Sequence, residues 1–452
     1  MVDFSRFPLR PNAFSERPLN IVKPEDKAAF ALLMELVLLE TGSRAAREAW
    51  QKAQLANVLG HAQKRSRFWA ARIGPGKASA VKLRKLPEQT RAEVLAQVKG
   101  EGPLLTRADG VATKAHFTSG SSGQPVTFHV SEANAIYNEI RSFAQYLMED
   151  RDLRANWVRL KPAPPMPAPG YKITRADNFA GRLGGLFAAG KATFIDFSTR
   201  DLGEVMRLVK SCQPGYLIVP PRYIEMFIEQ AGLDYLKSLP LKLLIGIAEG
   251  VPEELRKTCE SIGVTFVSTY SCEEVGVVGA QCRTQPDCFH VATSNVIVEE
   301  SDDKVEVDGK ALGRLLVTHL HGYATPFIRY DVGDLGTIQE SCPCGHDGPV
   351  VTNLFGRLLS SVKRRDGTRA SLYVRGQEMQ RVHPLREFRI RQTALDLIEM
   401  DVVSDEPTPE GALKLADYVR AVAGEEFRVE ARFVDAIDWG PSPKRLAFRC
   451  EV

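Results

Sequence analysis

The stretch His116-Phe117-Thr118-Ser119-Gly120-Ser121-Ser122-Gly123-Gln124-Pro125-Val126-Thr127 concentrates hydroxyls and glycines between two strand-like runs. Glycines permit tight backbone turns, and hydroxyls with free amides can wrap a phosphate by hydrogen bonds. A serine-rich polar hairpin has the same composition. The stretch is neither GxxxxGK[ST], since no lysine follows the second glycine, nor the GxSxG of a hydrolase elbow.

Further along, "STYSCEEVG" puts Tyr270 at a strand end with Glu273 and Glu274 just beyond it. A carboxylate at such an edge can hold Mg2+, and the aromatic ring can stack on a nucleobase. The alternative is an exposed acidic loop beside a core tyrosine. In "YATPFIRYDVGDLG" a strand leads to Asp334, whose carboxylate can accept from both hydroxyls of a ribose, and Gly356-Arg357 follows in "FGRLLSSVKRRDG". Cys282 and His290 come after the tyrosine loop, and Cys342-Pro343-Cys344 precedes the Gly-Arg pair. These three thiolates and one imidazole can complete a tetrahedral Zn2+ site. Reduced, unliganded cysteines are the alternative, and Cys272 or Cys288 can replace a named ligand.

These groups need a scaffold. Residues 27–73 carry apolar residues at three-to-four spacing and predict a helical N-terminal segment, and "LRKLPEQTRAEVLAQV" adds a short helix. From His116 to about Asp334 the pattern predicts alternating strands and helices. Strands are read in "ANWVRLKPAP", "KATFIDFS", "PGYLIVPP", "LKLLIGIAEG" and "GVTFVSTYS". Helices are read in "SEANAIYNEIRSFAQYLMED", "TRDLGEVMRLVKSC", "RYIEMFIEQAG" and "PEELRKTCESIG". Alternation of this kind argues for an α/β fold with a largely parallel sheet, whose ligands sit beyond the carboxyl ends of the strands. After Asp334 the texture changes to a turn-rich knot, a hinge with a hairpin, and a small α+β domain. The domains are therefore expected at 1–356 and 357–452.

Bulk properties exclude other classes. A chain of 452 residues exceeds one ordinary core, and 44% apolar with 25% charged residues suits a soluble globular protein rather than a disordered one. The net charge of +3, from 59 basic and 56 acidic residues, is too small for a polyanion-binding surface, so no nucleic-acid partner is expected. No leader or membrane-spanning run is legible, which makes a cytoplasmic protein without a membrane partner the expectation. Eight cysteines are too sparse for a disulfide scaffold and suit a reducing compartment.

The order of the motifs is more specific than any one of them. A hydroxyl and glycine loop, an Ala-Glu-Gly turn, a Tyr-x-x-x-Glu loop, an Arg-Tyr-x-x-Gly-Asp strand end, a Gly-Arg hinge and a lysine near the carboxyl end resemble the adenylate-forming superfamily of acyl-CoA synthetases. "LANVLGHAQKRSRFWAARI", "TSGSSGQPV", "YSCEEVGVVGAQC", "FHVATSNVIVEE", "LGRLLVTHLHGYATPFIRYDVGD" and "CPCGHDGPV" resemble its branch of phenylacetate–CoA ligase and capsule-biosynthesis relatives. The likeness runs from about Glu48 to the end, with residues 1–47 additional.

The resemblance implies a large, multi-layer adenylation domain, rich in parallel strands and entered by a helical segment, with a small mobile C-terminal domain. It implies activation of a small, aromatic carboxylic acid by ATP as acyl-AMP, then transfer to CoA. Thr118, Ser119, Gly120, Ser121, Ser122 and Gly123 would cradle the β- and γ-phosphates, and Glu274 would hold Mg2+. Tyr270 would stack on adenine beside Ala248, Glu249 and Gly250, and Asp334 with Arg357 would bind the ribose. Lys444 in "GPSPKRLAF" matches the mobile lysine that offsets charge during attack on the α-phosphate. Tyr137, Phe143, Tyr146, Phe179 and Ile245 or Ile247 are the candidates for the acid's pocket; an aromatic stripe at helical spacing is also what a plain core looks like. A structural Zn2+ on Cys282, His290, Cys342 and Cys344 is part of the same implication.

Three motifs depart from the family pattern. Gln124 replaces a lysine, Leu359 and Ser360 stand where an aspartate usually follows Gly-Arg, and Ser271 stands where glycine is common. These departures bear on the thioester half-reaction and keep two rivals open: an adenylating ligase that passes its acyl group to an amine, and a catalytically silent nucleotide-binding homologue. A homodimer is also kept open.

Overall fold

The computed structural model describes residues 10, 22–98, 113–117, 126–163, 166–199, 201–356, 361–372, 374, 376–438 and 448–452. Thr118 to Gln124, Arg357, Leu359, Ser360 and Lys444 lie outside the described residues. The loop's flanking strands, Thr113–Phe117 and Thr127–Ser131, pair antiparallel as a hairpin with Phe117 opposite Thr127.

Among the described residues, fourteen strands form one continuous sheet. Five of them lie parallel and side by side: Ala192–Phe197, Asn156–Pro162, Pro214–Val219, Leu243–Gly246 and Phe266–Cys272. Burial on both faces explains why Pro214–Val219 and Leu243–Gly246 read as unbroken apolar runs instead of alternating ones. Helices Leu202–Ser211, Pro221–Lys237 and Glu253–Glu260 cover one face, where Val205, Val209, Ile224 and Phe227 meet Leu160, Ile195, Leu217 and Leu244. Helix Glu132–Met148 lies against the other face, with the ring of Tyr146 6.2 Å from that of Tyr216.

The predicted alternation stops at Cys272, short of Asp334. From Gly276 to Phe355 the sheet continues as six antiparallel strands without intervening helices: Gly276–Gln281, Cys288–Val291, Val350–Phe355, Tyr330–Gln339, Lys310–His319 and Val296–Val307, in spatial order. The connections there are too short for a crossover helix. Asp308 and Gly309, with φ of +49° and +73°, turn one strand directly into the next, as the twist of a tight hairpin demands.

A second, four-stranded sheet, Arg428–Phe433, Leu397–Val403, Glu387–Ala394 and Phe448–Cys450, packs with helices Gly376–Val382 and Pro409–Ala423 as a small α+β domain. Its core of Ile390, Ile398, Met400, Leu415, Val419 and Phe427 also takes in Val362 and Ala370, from the hairpin that edges the large sheet at Val307. Buried Gln392 ties that hairpin to the small domain as a peptide would, accepting from the Lys363 amide at 2.8 Å and donating to its carbonyl at 2.7 Å.

The N-terminal helices Lys27–Glu40, Arg44–Arg65 and Arg67–Ile73 pack on the large domain. Ser43 caps the second by accepting from the Ala46 amide. Helix Arg91–Val98 opens on a capping box in which Thr90 and Glu93 exchange side-chain to backbone hydrogen bonds. No helix among the described residues is long and apolar enough to cross a membrane.

Candidate functional site

Strand Phe266–Cys272 ends at the carboxyl edge of the parallel strands, and the chain reverses through Glu273, Glu274 and Val275 into Gly276–Gln281. Gly276 has φ +76°, where a side chain would be strained, so a glycine closes this turn. Tyr270 is buried, and its hydroxyl donates to Asp334 Oδ2 at 3.0 Å. Asp334 stands on strand Tyr330–Gln339 after a local turn in which Asp331 Oδ1 accepts from the Gly333 amide at 2.8 Å. Two motifs far apart in the chain thus meet as an aromatic ring with a carboxylate at its edge.

Glu274 is 7% exposed. The Tyr330 hydroxyl donates to its Oε1 at 3.0 Å, and the Arg91 guanidinium reaches the same oxygen at 3.6 Å. Gln89 brings Arg91 there. Its backbone pairs with Arg329 and Asp331 on either side of Tyr330, and its buried side chain accepts from the Ile328 amide at 3.1 Å. Burial, followed by the Glu274 charge, pushes both the neighbouring Cys272 thiol and the Tyr330 hydroxyl well up from their ordinary pKa values, so both stay protonated. Tyr330 stands in the Arg-Tyr-x-x-Gly-Asp motif with no role legible from its type there, and Arg91 carries no motif, because its contact joins an N-terminal helix to a loop of the large sheet.

On the adjacent strand end, Ala248 has φ +68°, an unfavourable setting for a residue with a Cβ, and Glu249 pairs with Arg222 at 3.2 Å. A strained alanine beside Gly250 shapes the backbone of the Ala-Glu-Gly turn.

The six pocket candidates divide between two clusters. Phe143 and Phe179 lie 6.3 Å apart, ring to ring, in a core shared with Tyr137, Tyr146 and residues Leu33 and Leu36 of the first helix. Ile245 and Ile247 pack with Tyr216, Ile218 and Val267 on the parallel strands. Tyr146 spans the two clusters, its hydroxyl accepting from Trp157 Nε1. Tyr137 donates to the Ser294 carbonyl at 2.6 Å, and its ring stacks on that of His321 at 3.6 Å.

A small cavity opens beside Glu274, walled by Phe128, Ser131, Asn134, His319, Tyr323 and Thr325. Burial, and then the neighbouring His321, depress the pKa of His319 to about 3, and burial first of all lowers that of His321 to about 4. Both imidazoles are neutral at physiological pH.

Cys282, His290, Cys342 and Cys344 converge, with one ligand atom from each lying within 4.8 Å of every other. Cys344 Sγ is 3.4 Å from His290 Nε2. Tetrahedral zinc, with Zn–S near 2.3 Å and Zn–N near 2.0–2.1 Å, sets ligand-to-ligand edges of roughly 3.5–3.8 Å, so the donors fit with small adjustments. Burial, with His346 stacked 4.2 Å above it, lowers the His290 pKa to about 4 and leaves the ring neutral, the form that ligates a metal. Cys288 packs against Cys282 and Cys342 without joining the four, and Cys272 lies at Glu274. The Cys342 amide donates to the His346 carbonyl at 3.0 Å and the Gly345 amide to the Cys342 carbonyl at 3.0 Å, which folds the C-x-C segment into a knuckle.

No family model and no curated protein matches the sequence. Solved structures match in shape. A 2-hydroxyisobutyryl-CoA ligase in its postadenylation state with R3-HIB-AMP superposes with a TM-score of 0.62 at 16% identity, over 92% of this chain and 91% of the ligase. The same ligase with 2-HIB-AMP and CoA in the thioesterification state gives 0.57 at 18% identity, over 92% of each chain. Its open conformation gives 0.55 at 17%, over 91% of this chain and 93% of the ligase. Large and small domains together, the chain has the fold of this CoA ligase.

Proposed function

We propose that the protein is an ATP-dependent adenylate-forming ligase of the acyl-CoA synthetase superfamily, closest in its motifs to the phenylacetate–CoA ligase branch. It condenses a small carboxylic acid with ATP to give acyl-AMP and pyrophosphate, and then passes the acyl group to CoA with release of AMP. The observation that carries this reading is the pairing of Tyr270 with Asp334 and of Glu274 with Tyr330 at one edge of the parallel strands. These are the groups the motif order assigns to adenine, ribose and Mg2+. The fold-sharing ligase, solved with an acyl-AMP and with CoA, supports the same two half-reactions.

The roles follow from charge and position. A carboxylate is a poor electrophile, and the mixed anhydride with AMP gives it a good leaving group. Tyr270 lies beside the adenine, Asp334 with Arg357 takes the ribose, and the Ala248–Glu249–Gly250 backbone edges the base. Thr118 to Gly123 wrap the departing phosphates through amides and hydroxyls, with Gln124 able to hydrogen-bond but adding no charge. Mg2+, when bound at Glu274, offsets the negative charge that builds on the phosphate oxygens, and Lys444 does so from the small domain. The acid's organic part lies between helix Glu132–Met148 and the Ile245 strand, an apolar setting that suits an aromatic acid. Zn2+ on Cys282, His290, Cys342 and Cys344 is structural, since four protein ligands leave no open position for chemistry. Purified protein with ATP, Mg2+, CoA and a panel of acids tests the reading. Acid-dependent AMP release with thioester formation is expected, and amide formation with added amines in place of thioester would redirect the second half-reaction.

A further inference from the structure

Residues Thr293, Ser294 and Asn295 link strand Cys288–Val291 to strand Val296–Val307, and they are 2%, 0% and 0% exposed. Three buried polar residues in a loop are costly unless their hydrogen bonds are made. Here the backbone groups and the Thr293 hydroxyl are bonded from five directions, while Ser294 Oγ and Asn295 Oδ1 have no partner among the described residues. Glu40, at the end of the first helix, accepts from the Thr293 hydroxyl and the Ser294 amide, both at 2.8 Å. Gln51 of the second helix donates to the Thr293 carbonyl at 2.8 Å. The Ser294 carbonyl accepts from Tyr137 and from His321 Nε2, at 2.6 and 3.0 Å. The Leu320 amide donates to the Asn295 carbonyl at 3.0 Å. The remaining reach is outward: Asn295 Nδ2 donates to the carbonyls of Val275 and Val277, at 2.9 and 2.8 Å.

Val275 follows Glu274 directly. One amide group therefore fastens the last residue of the reversal that carries Glu274 and the strand that leaves it, and the loop behind it is anchored by the first two N-terminal helices. We propose that Asn295 is the positioning residue of Glu274, and that Glu40 holds Asn295 in place, so the N-terminal helices set the aim of the cation-binding carboxylate. The proposal rests on the reading of Glu274 as a divalent-cation ligand. It gives Glu40 and Gln51, which bond the loop behind Asn295, a role in the site. Groups that hold a ligand in place commonly govern metal affinity by 10- to 100-fold when altered.

The test is binding of Mn2+ to the full-length protein with ATP, followed by electron paramagnetic resonance, in wild type, Asn295→Asp, Glu40→Gln and Glu274→Gln. Asn295→Asp keeps the shape but turns a donor into an acceptor facing two carbonyl oxygens, and it is expected to weaken Mn2+ about tenfold, with ATP binding in EDTA unchanged. Glu40→Gln loses one acceptor at the loop and is expected to weaken Mn2+ in the same direction. Wild-type Mn2+ affinity in Asn295→Asp, alongside weakened binding in Glu274→Gln, would overturn the positioning role alone. Wild-type affinity in Glu274→Gln would instead overturn the reading of Glu274. Should Asn295→Asp fail to fold, Glu40→Gln decides, and unchanged Mn2+ affinity there ends the proposal.

Discussion

The Tyr330 hydroxyl donates to the Glu274 carboxylate at 3.0 Å across 56 positions of sequence, in a site that leaves Glu274 7% exposed. A buried carboxylate needs such partners, and a hydrogen bond to a charged group is worth about 1.5–3 kcal/mol. Tyr330→Phe should lower unfolding free energy in urea by that amount, since Phe fills the same space without the donor. A change under about 0.5 kcal/mol, the scale of an inert surface substitution, would mean that Arg91 alone satisfies the carboxylate.

The Tyr270 to Asp334 contact makes a prediction about nucleotide. Asp334→Asn replaces one acceptor oxygen with a donor, so one of two ribose hydroxyls loses its match. ATP affinity by calorimetry should fall about tenfold, the equivalent of one lost hydrogen bond to a charged acceptor. Unchanged affinity would remove the ribose from Asp334.

The cysteine cluster predicts metal content. Elemental analysis of chelator-washed protein should find about one equivalent of zinc, because a closed four-ligand site holds its ion tightly. Cys342→Ser should lose the metal and lower the melting temperature. A stable, metal-free preparation with all four residues intact would contradict the assignment.

Burial holds the His319 pKa at about 3, against about 6.5 in an unfolded chain. Between those values the unfolded chain binds a proton that the folded protein does not. This stabilising term is therefore complete above about pH 6.5 and is lost progressively as pH falls toward 3. His319→Gln should flatten the acid limb of stability over that window. An acid limb of unchanged slope would mean that other groups produce it.

Most of the architecture was legible in the sequence because its signals are local. The apolar runs of the five parallel strands and the periodicity of the helices between them survive in the fold. The antiparallel half of the large sheet was not legible, because alternation of strand and helix was extended past Cys272 over turns as short as Asp308-Gly309. For the site, Tyr270, Glu274 and Asp334 stood out as a motif order, and the cysteines stood out by spacing. Arg91, Asn295 and Glu40 carried no such signal. Their contacts reach as far as 254 positions along the chain, as from Glu40 to Ser294, and only the folded sheet brings them together.

The most direct test of the central claim is acid-dependent exchange of pyrophosphate into ATP with Mg2+, measured over a broad panel of aromatic and aliphatic acids. The account predicts exchange with at least one acid, strongly reduced in Glu274→Gln and in Lys444→Ala. Tight ATP binding without exchange for any acid would contradict it and leave a nucleotide-binding protein without ligase chemistry.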